Sequence, residues 1–432
     1  MTFSHPAAQA ALTVVRTLRD AGHVAYFAGG CVRDALLGLT PKDYDVATDA
    51  TPDRVRQLFK NTQAVGAAFG VILVRLSGEQ IEVATFRSDG NYADGRRPES
   101  VTFSTAEADA DRRDFSINGL FFDPIEDRVI DYVNGQADLT AHVLRTIGTP
   151  AERFAEDHLR LLRAVRFAAR FGLTVEPNTA AAIDAAAPLL PRISAERIAE
   201  ELRRILTAPT RDAAYRLLWR HGLLRVLLPT LGGDAVPLDE HRSLLWKLAP
   251  GEAVAFPVAW LATLIDVRWH GGRFRHDVLG NLNAADSRKL VDLTRSLLRP
   301  SNDELEAMAE IAQQCHRLLT TASPDDALFK RFLAKPTSPQ ARQLLGALAG
   351  VGAAADRIAA LQPRLDALLA AGDVAPPPLL TGDTLIRTGA RPGPAFKGVL
   401  DAVYDAQLNG QIDSADEALA LGQRLLNNAA TR

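Results

Sequence analysis

At Pro150 the hydrophobic pattern of this chain changes period. Before it lie two short strand-like runs, Gly70 to Leu76 and Gln80 to Phe86, the second alternating every second residue, joined by Ser77-Gly78-Glu79 in the manner of a hairpin. After it nearly every stretch repeats with helical spacing: AERFAEDHLRLLRAVRFAARFG up to Gly172, then Ser194 to Leu206, then leucine-rich segments to about Thr320. The pattern predicts an α+β chain, with a mixed sheet confined to the first third and an all-α remainder. A length of 432 residues calls for two to four domains. We place them at residues 1–148, 149–210, 211–372 and 373–432, the last opening on the linker-like DVAPPP of Asp373 to Pro378.

Composition excludes several classes. No apolar run reaches the ~20 residues a membrane helix needs. The N-terminal segment carries Arg16, Arg19 and Asp20 among its alanines and leucines, so it reads as an amphipathic helix ended at Gly22 and not as a signal peptide. The expected location is therefore cytoplasmic, with no membrane partner. Cys31 and Cys315 are the only cysteines, too few for a disulfide framework or a zinc site, which leaves oxygen ligands for any metal. The net charge of −3 speaks weakly against a general nucleic-acid binder, although local clusters of arginine can still meet phosphate.

Chemistry concentrates between Ala28 and Thr48, AGGCVRDALLGLTPKDYDVAT. Gly29 and Gly30 close a strand (His23 to Ala28) and lead into a short helix from Val32 to Leu37, with Arg33 in its first turn. Close backbone approach and helix-terminal amides suit an anion such as a triphosphate. Asp43 and Asp45 stand at i and i+2 of a strand-like run, so both carboxylates face one side, as a divalent metal requires. Glu82 alternates with the inward pair Ile81 and Val83 and is a candidate third carboxylate. Ser88 to Thr105 reads as a loop. Arg112, Arg113 and Asp114 open an apolar helical run that places Asn118 on the face of Asp114. Farther on, Asp157, Arg160, Arg163, Arg166 and Arg170 form a polar stripe whose default reading is a solvated face, with Glu200 and Glu201 as possible partners.

In order, GGCVRDALLG, DYD, IEVATFR, RRDFSING and EDHLRLLRAVRFAARF resemble the head and neck of the class II nucleotidyltransferases of the polymerase beta superfamily, which include CCA-adding enzymes and bacterial poly(A) polymerases. The resemblance covers roughly Gly22 to Leu206. It implies a polymerase-beta-like head in which Gly29, Gly30 and Arg33 hold the triphosphate. Asp43 and Asp45 would bind magnesium, with Glu82 as the third carboxylate. Arg112, Arg113 and Asp114, with Asn118, match the block that reads the ribose. Glu156, Asp157 and Arg160 match the block that selects the base, and Arg163 lies on the same stripe. The implied activity is addition of CCA to the tRNA 3′ end from CTP and ATP. Poly(A) polymerase shares every head motif, but Gly66 to Leu76 has only Arg75 where poly(A) polymerases tend to be basic and histidine-containing. A-only or CC-only addition, and a catalytically dead RNA binder, complete the alternatives. The carboxyl half resembles a decayed HD-type phosphohydrolase body: Ile265-Asp266 stands where a metal-binding His-Asp is needed, so His241, Asp266, His270 and His276 read as structural or surface residues. Gly382 to Gln407 resembles the tRNA-gripping tail of the same group.

Overall fold

A computed structural model describes residues 5–66, 70–90, 100–231, 243–270, 282–388, 390 and 393–430. The chain divides into two compact units, Met1–Ile205 with Ala213–Pro229, and Leu206–Asp212 with Thr230–Arg432.

The first unit begins with α1 (Pro6–Asp20), whose buried face runs Ala7, Ala8, Ala10, Ala11, Val14, Val15 and Leu18. Gly22, at φ +87°, turns the chain after it, as expected. There follow β1 (Ala25–Ala28), α2 (Gly30–Leu36), β2 (Asp45–Thr48), α3 (Pro52–Leu58), β3 (Thr62–Gly66), β4 (Val71–Leu76), β5 (Glu79–Thr85), β6 (Arg87–Asp89), β7 (Val101–Phe103) and α4 (Ala106–Asp111). A 3-10 turn at Ser116–Asn118 precedes β8 (Leu120–Asp123), β9 (Arg128–Asp131), α5 (Gly135–Thr140) and β10 (Val143–Leu144). Then come α6 (Pro150–Glu156), α7 (Arg160–Phe171), β11 (Thr174–Val175), α8 (Pro177–Ala186), a second 3-10 segment at Ala187–Arg192, and α9 (Ala195–Leu206).

Seven strands form the main sheet in the order β3-β4-β5-β2-β1-β8-β9. It is mixed: β2 runs parallel to β5, while the other neighbours are antiparallel. The hairpin at Ser77-Gly78 forms as its residues dictate, with φ of +53° and +82° at the two turn positions and Leu76 paired with Glu79. Helix α1 packs against β1, β2 and β5. Ala28, Ala47, Phe86 and Phe121 of the sheet region form a core with Ala106 and Ala110 of α4, which fixes α4 beside the strands that carry the acidic residues.

Two expectations for the segment between β5 and β9 fail. The run after Asp114 is not helical: it makes one 3-10 turn and then enters β8, all four of whose residues are buried. Part of the segment from Ser88 to Thr105, read as loop, is the β6-β7 hairpin, while residues 91–99 lie outside the described set.

Among the described residues of the remainder the regular elements are all helices: α10 (Arg211–Arg220), α11 (Leu223–Leu227), α12 (Leu244–Lys247), α13 (Phe256–His270), α14 (Ala284–Leu298), α15 (Asn302–Thr320), α16 (Asp326–Leu333), α17 (Ser338–Gly350), α18 (Ala355–Ala371), α19 (Gly382–Arg387), α20 (Pro394–Leu408) and α21 (Ala415–Ala430). In the second unit α13 is buried nearly all round, from Val258 through Val267, and α12, α15 and α17 pack on it. A small separate core of Leu380, Leu385, Val399, Val403 and Ala418 holds α19, α20 and α21 together. Among the described residues no helix is long and apolar enough to cross a membrane.

Candidate active site

The carboxylates come first. Asp45 opens β2 opposite Ala28 of β1, whereas Asp43 precedes the strand and is exposed. On the other side Val46 pairs with Val83 in parallel register, so by strand alternation Asp45 and Glu82 are neighbours on one face. Ile81 and Val83 are buried while Glu82 is exposed, as their alternation predicts. Burial pushes the Asp45 carboxyl up to about 6, Glu82 and Asp43 push it the same way, and Arg113 opposes them. All three acidic groups therefore share one field. Among the described residues no three His, Cys, Asp or Glu side chains form a closed metal cage. The donor chemistry nevertheless fits a hard divalent cation, because only oxygen ligands are present and their mutual repulsion is what such a charge relieves.

Behind them lies the glycine pair. Gly29 has φ +66° and donates its amide to Leu120 O at 2.9 Å, locking the end of β1 to β8. The positive φ favours glycine there, and a Cβ would fall 2.7 Å from Arg113 Nη1 and displace that side-chain end. Cys31, next along, is buried and its thiol is pushed up to about 12, which leaves it inert. Arg33, expected at the triphosphate, is only 5% exposed. Its guanidinium donates to Asp34 at 2.6 and 2.8 Å and to Asn118 Oδ1, and lies 4.4 Å over the ring of Phe171. It is packed behind the glycine elbow.

Arg112, Arg113, Asp114 and Asn118 do come together, through tertiary bonds and not through a helix face. Asp114 accepts from Phe115 N and Asn118 Nδ2, both at 2.9 Å, and from Arg163 at 2.6 and 2.8 Å. Burial alone would raise its carboxyl, but Arg163 and Asn118 hold it below the usual range. Arg112 and Arg113 both donate to Asp109 of α4, a residue not singled out above. Its i, i+3 and i, i+4 spacing to the two arginines in AEADADRR was the available signal.

The expected helix of AERFAEDHLRLLRAVRFAARFG is broken. Helix α6 ends at Glu156 and α7 begins at Arg160; Asp157 between them has φ −149° and ψ 104°. Asp157 and Arg160 thus do not share a helix face. Asp157 accepts from Leu159 N at 3.0 Å and from Arg197 of α9 at 2.7 Å, while Arg160 donates to Glu156 at 2.7 Å and to the carbonyl of Arg153 at 3.2 Å. Nor is the stripe a solvated face. Arg163 pairs with Asp114, Arg166 with Glu201 at 2.7 Å and Arg170 with Asp34 at 3.4 Å. Phe167 and Phe171 stack at 6.2 Å beneath these guanidiniums, Arg166 lying 4.3 Å over Phe167 and Arg170 4.8 Å over Phe171.

In the second unit Asp266 is fully buried and accepts from Ser243 Oγ at 2.7 Å and from the amides of Leu244 and Leu245 at 2.7 and 3.1 Å. It fastens the start of α12 to α13, a structural role consistent with Ile265 beside it. His270 ends α13, and His241 and His276 lie outside the described residues.

A mixed sheet bearing strand-edge carboxylates, a glycine elbow and an arginine-rich helical extension defines a nucleotidyltransferase with a polymerase-type head. Residues 25–145 match the poly A polymerase head domain, and residues 172–232 match the region described as the probable RNA and SrmB-binding site of polymerase A. The CCA-adding enzyme of Geobacillus thermodenitrificans is 34% identical over 421 residues, 96% of each chain. Poly(A) polymerase I of Escherichia coli is 44% identical over 232 residues, but that covers 51% of this chain and 50% of its own. The crystal structure of Bacillus stearothermophilus CCA-adding enzyme in complex with CTP superimposes with a TM-score of 0.74 at 26% identity, covering 99% of this chain and 100% of that one. The chain belongs to the CCA-adding enzyme family.

Proposed function

We propose that this protein completes tRNA 3′ ends, adding C, C and A from CTP and ATP without a nucleic-acid template and releasing pyrophosphate. The carrying observation is the extent of similarity: it runs through both whole chains for the CCA-adding relative, and stops at half of each for the poly(A) polymerase. Residues 1–148 would act as catalytic head, 149–210 as base-selecting neck, 211–372 as body and 373–432 as tRNA-binding tail.

In this reading Asp43 and Asp45, with Glu82, hold a divalent cation, magnesium. When bound, it would supply the charge that activates the RNA 3′-hydroxyl and neutralises the leaving phosphates. The chain's own part is positioning and electrostatics, so no serine or cysteine nucleophile is needed. Gly29 and Gly30 offer backbone to the triphosphate, Arg113 adds positive charge beside them, and Arg33 holds the elbow from behind. Arg112 and Asp114, with Asn118, orient the ribose.

Base choice falls to Glu156, Asp157 and Arg160, with Arg163 anchoring α7. Cytosine and adenine both present an exocyclic amine next to a ring nitrogen acceptor; uracil and guanine present a carbonyl and an N–H there. An arginine donor and a carboxylate acceptor fixed by their partners favour the first pair and leave unpaired groups against the second. Arg160→Ala and Asp157→Ala are each expected to relax discrimination against UTP and GTP by about tenfold or more. Wild-type selectivity and rate in both variants would move base choice elsewhere.

The deciding assay supplies single labelled nucleotides and magnesium with tRNAs truncated before the first C, the second C or the final A. Ordered C, C, A addition that then stops supports the proposal, whereas an open-ended A tail makes the protein a poly(A) polymerase. Binding of tRNA should weaken roughly tenfold or more between about 50 and 200 mM salt, because arginines displace counterions from phosphate; an unchanged Kd across that range contradicts RNA recognition.

A further inference from the structure

Asp109 lies in the middle of an acidic helix, AEADAD, whose other carboxylates face solvent or the helix start. It alone of these is buried, at 1% exposure. Its two oxygens are divided between two successive arginines. Oδ1 accepts from Arg112 Nε and Nη2 at 2.9 and 2.6 Å, and Oδ2 accepts from Arg113 Nε and Nη2 at 3.2 and 3.0 Å. Oδ1 also takes the amide of Arg87, at the base of the β6-β7 hairpin, at 3.4 Å.

Each arginine leads to a different part of the site. Arg113 uses its remaining Nη1 to donate to Asn118 O at 3.1 Å, 2.7 Å from where a Cβ on Gly29 would be, and its charge reaches Asp45. The backbone carbonyl of Arg112, not its guanidinium, accepts from Arg160 Nη2 at 3.4 Å, so the chain at Arg112 meets the base-selecting turn while its side chain stays on Asp109. Two adjacent cations on flexible stems repel each other and have many rotamers. A buried anion between them that satisfies both forks removes that freedom at once.

We propose that Asp109 is a positioning residue for nucleotidyl transfer: it aims Arg113 at the glycine elbow and carboxylate set and fixes the Arg112 guanidinium beside it, without itself touching nucleotide. The assignment rests on the nucleotidyltransferase reading above. It predicts that the effect of Asp109 passes through its arginines. In full-length protein with truncated tRNA, Asp109→Ala should lower kcat for both CTP and ATP by about 30-fold or more while Kd for tRNA stays within about twofold. Asp109→Asn, close in shape and retaining one acceptor oxygen, should show a smaller loss, and Asp109→Glu should recover part of the rate.

The discriminating readout is a cycle with Arg113→Ala. The double variant Asp109→Ala/Arg113→Ala should lose no more than about threefold beyond the worse single variant, because the carboxylate has nothing left to aim. Losses that multiply in full overturn the proposal, as does a folded Asp109→Ala with wild-type kcat. Should Asp109→Ala fail to fold, Asp109→Asn takes its place in the cycle, and wild-type kcat in Arg113→Ala overturns the proposal whatever happens at position 109. Asp43→Ala, run alongside, separates the two levels: if it retains turnover the catalytic reading falls, and if it is inactive while Asp109 fails these tests only the positioning role falls.

Discussion

Asp43→Ala and Asp45→Ala should each lower nucleotide incorporation by about 10³-fold or more, since each removes an oxygen donor from a charge centre worth several kcal/mol to the transition state. Their effects on stability should differ. Asp43 is exposed and its loss should leave the melting temperature unchanged. Asp45 is held beside Glu82 with its carboxyl pushed up to about 6, so Asp45→Asn relieves repulsion at neutral pH. With a chelator present, that variant should melt about 2 to 4 °C above wild type, a gain of stability bought with the loss of activity. Calorimetry and a single-nucleotide incorporation assay on the same preparations check both halves. Turnover by Asp43→Ala at the wild-type rate would remove the acidic pair from the mechanism.

The second large effect concerns Asp114. Asp114 is buried and accepts from Arg163, Asn118 and the Phe115 amide, so Asp114→Ala strips three donors of their acceptor, although the Arg163 side chain, 31% exposed, can still reach water. The expected cost is about 1 to 3 kcal/mol of unfolding free energy, since the guanidinium left behind is partly hydrated. Because Asp114 is held below the usual carboxylate range when folded, its contribution is fully present above the unfolded value, near pH 4, and is lost as pH falls through the folded one. The difference between wild type and Asp114→Ala should therefore be constant from about pH 5 to 8 and shrink below about pH 4. Denaturant titrations across that range measure it; a difference of less than 1 kcal/mol at pH 7 would make the pair incidental.

What could be read from the sequence was whatever local chemistry decides. Thr51 followed by Pro52 starts α3, and the Thr51 side chain accepts from Arg54 N as a cap should. Ser77-Gly78 makes its hairpin, Gly172 at φ +64° ends α7, and the Ile81-Glu82-Val83 alternation orients the third carboxylate. Tertiary decisions were hidden. Apolar positions continue at helical spacing through Leu159, so nothing periodic announces the break at Asp157, which Arg197 from a distant helix holds in place. Leu120-Phe121-Phe122 is buried on both faces of an interior strand and therefore shows no alternation to set it apart from helix. Nothing in AEADAD sets Asp109 apart from its acidic neighbours, and Arg33 was expected at the triphosphate, because burial and the choice among partners are properties of the folded chain.

Phe167 has a consequence beyond its own packing. One ring lies under the guanidiniums of Arg33, Arg163 and Arg166 and against the edge of Phe115. Three positive charges from two helices thereby gather on one ring, each paired with its own carboxylate. A set of arginines free to swing would attract any polyanion that drifted past, including finished tRNA, ribosomal RNA and inorganic polyphosphate. Committed to one ring and to Asp34, Asp114 and Glu201, these three guanidiniums are spent inside the fold, so the aromatic platform leaves fewer of the chain's many arginines to a passing polyanion.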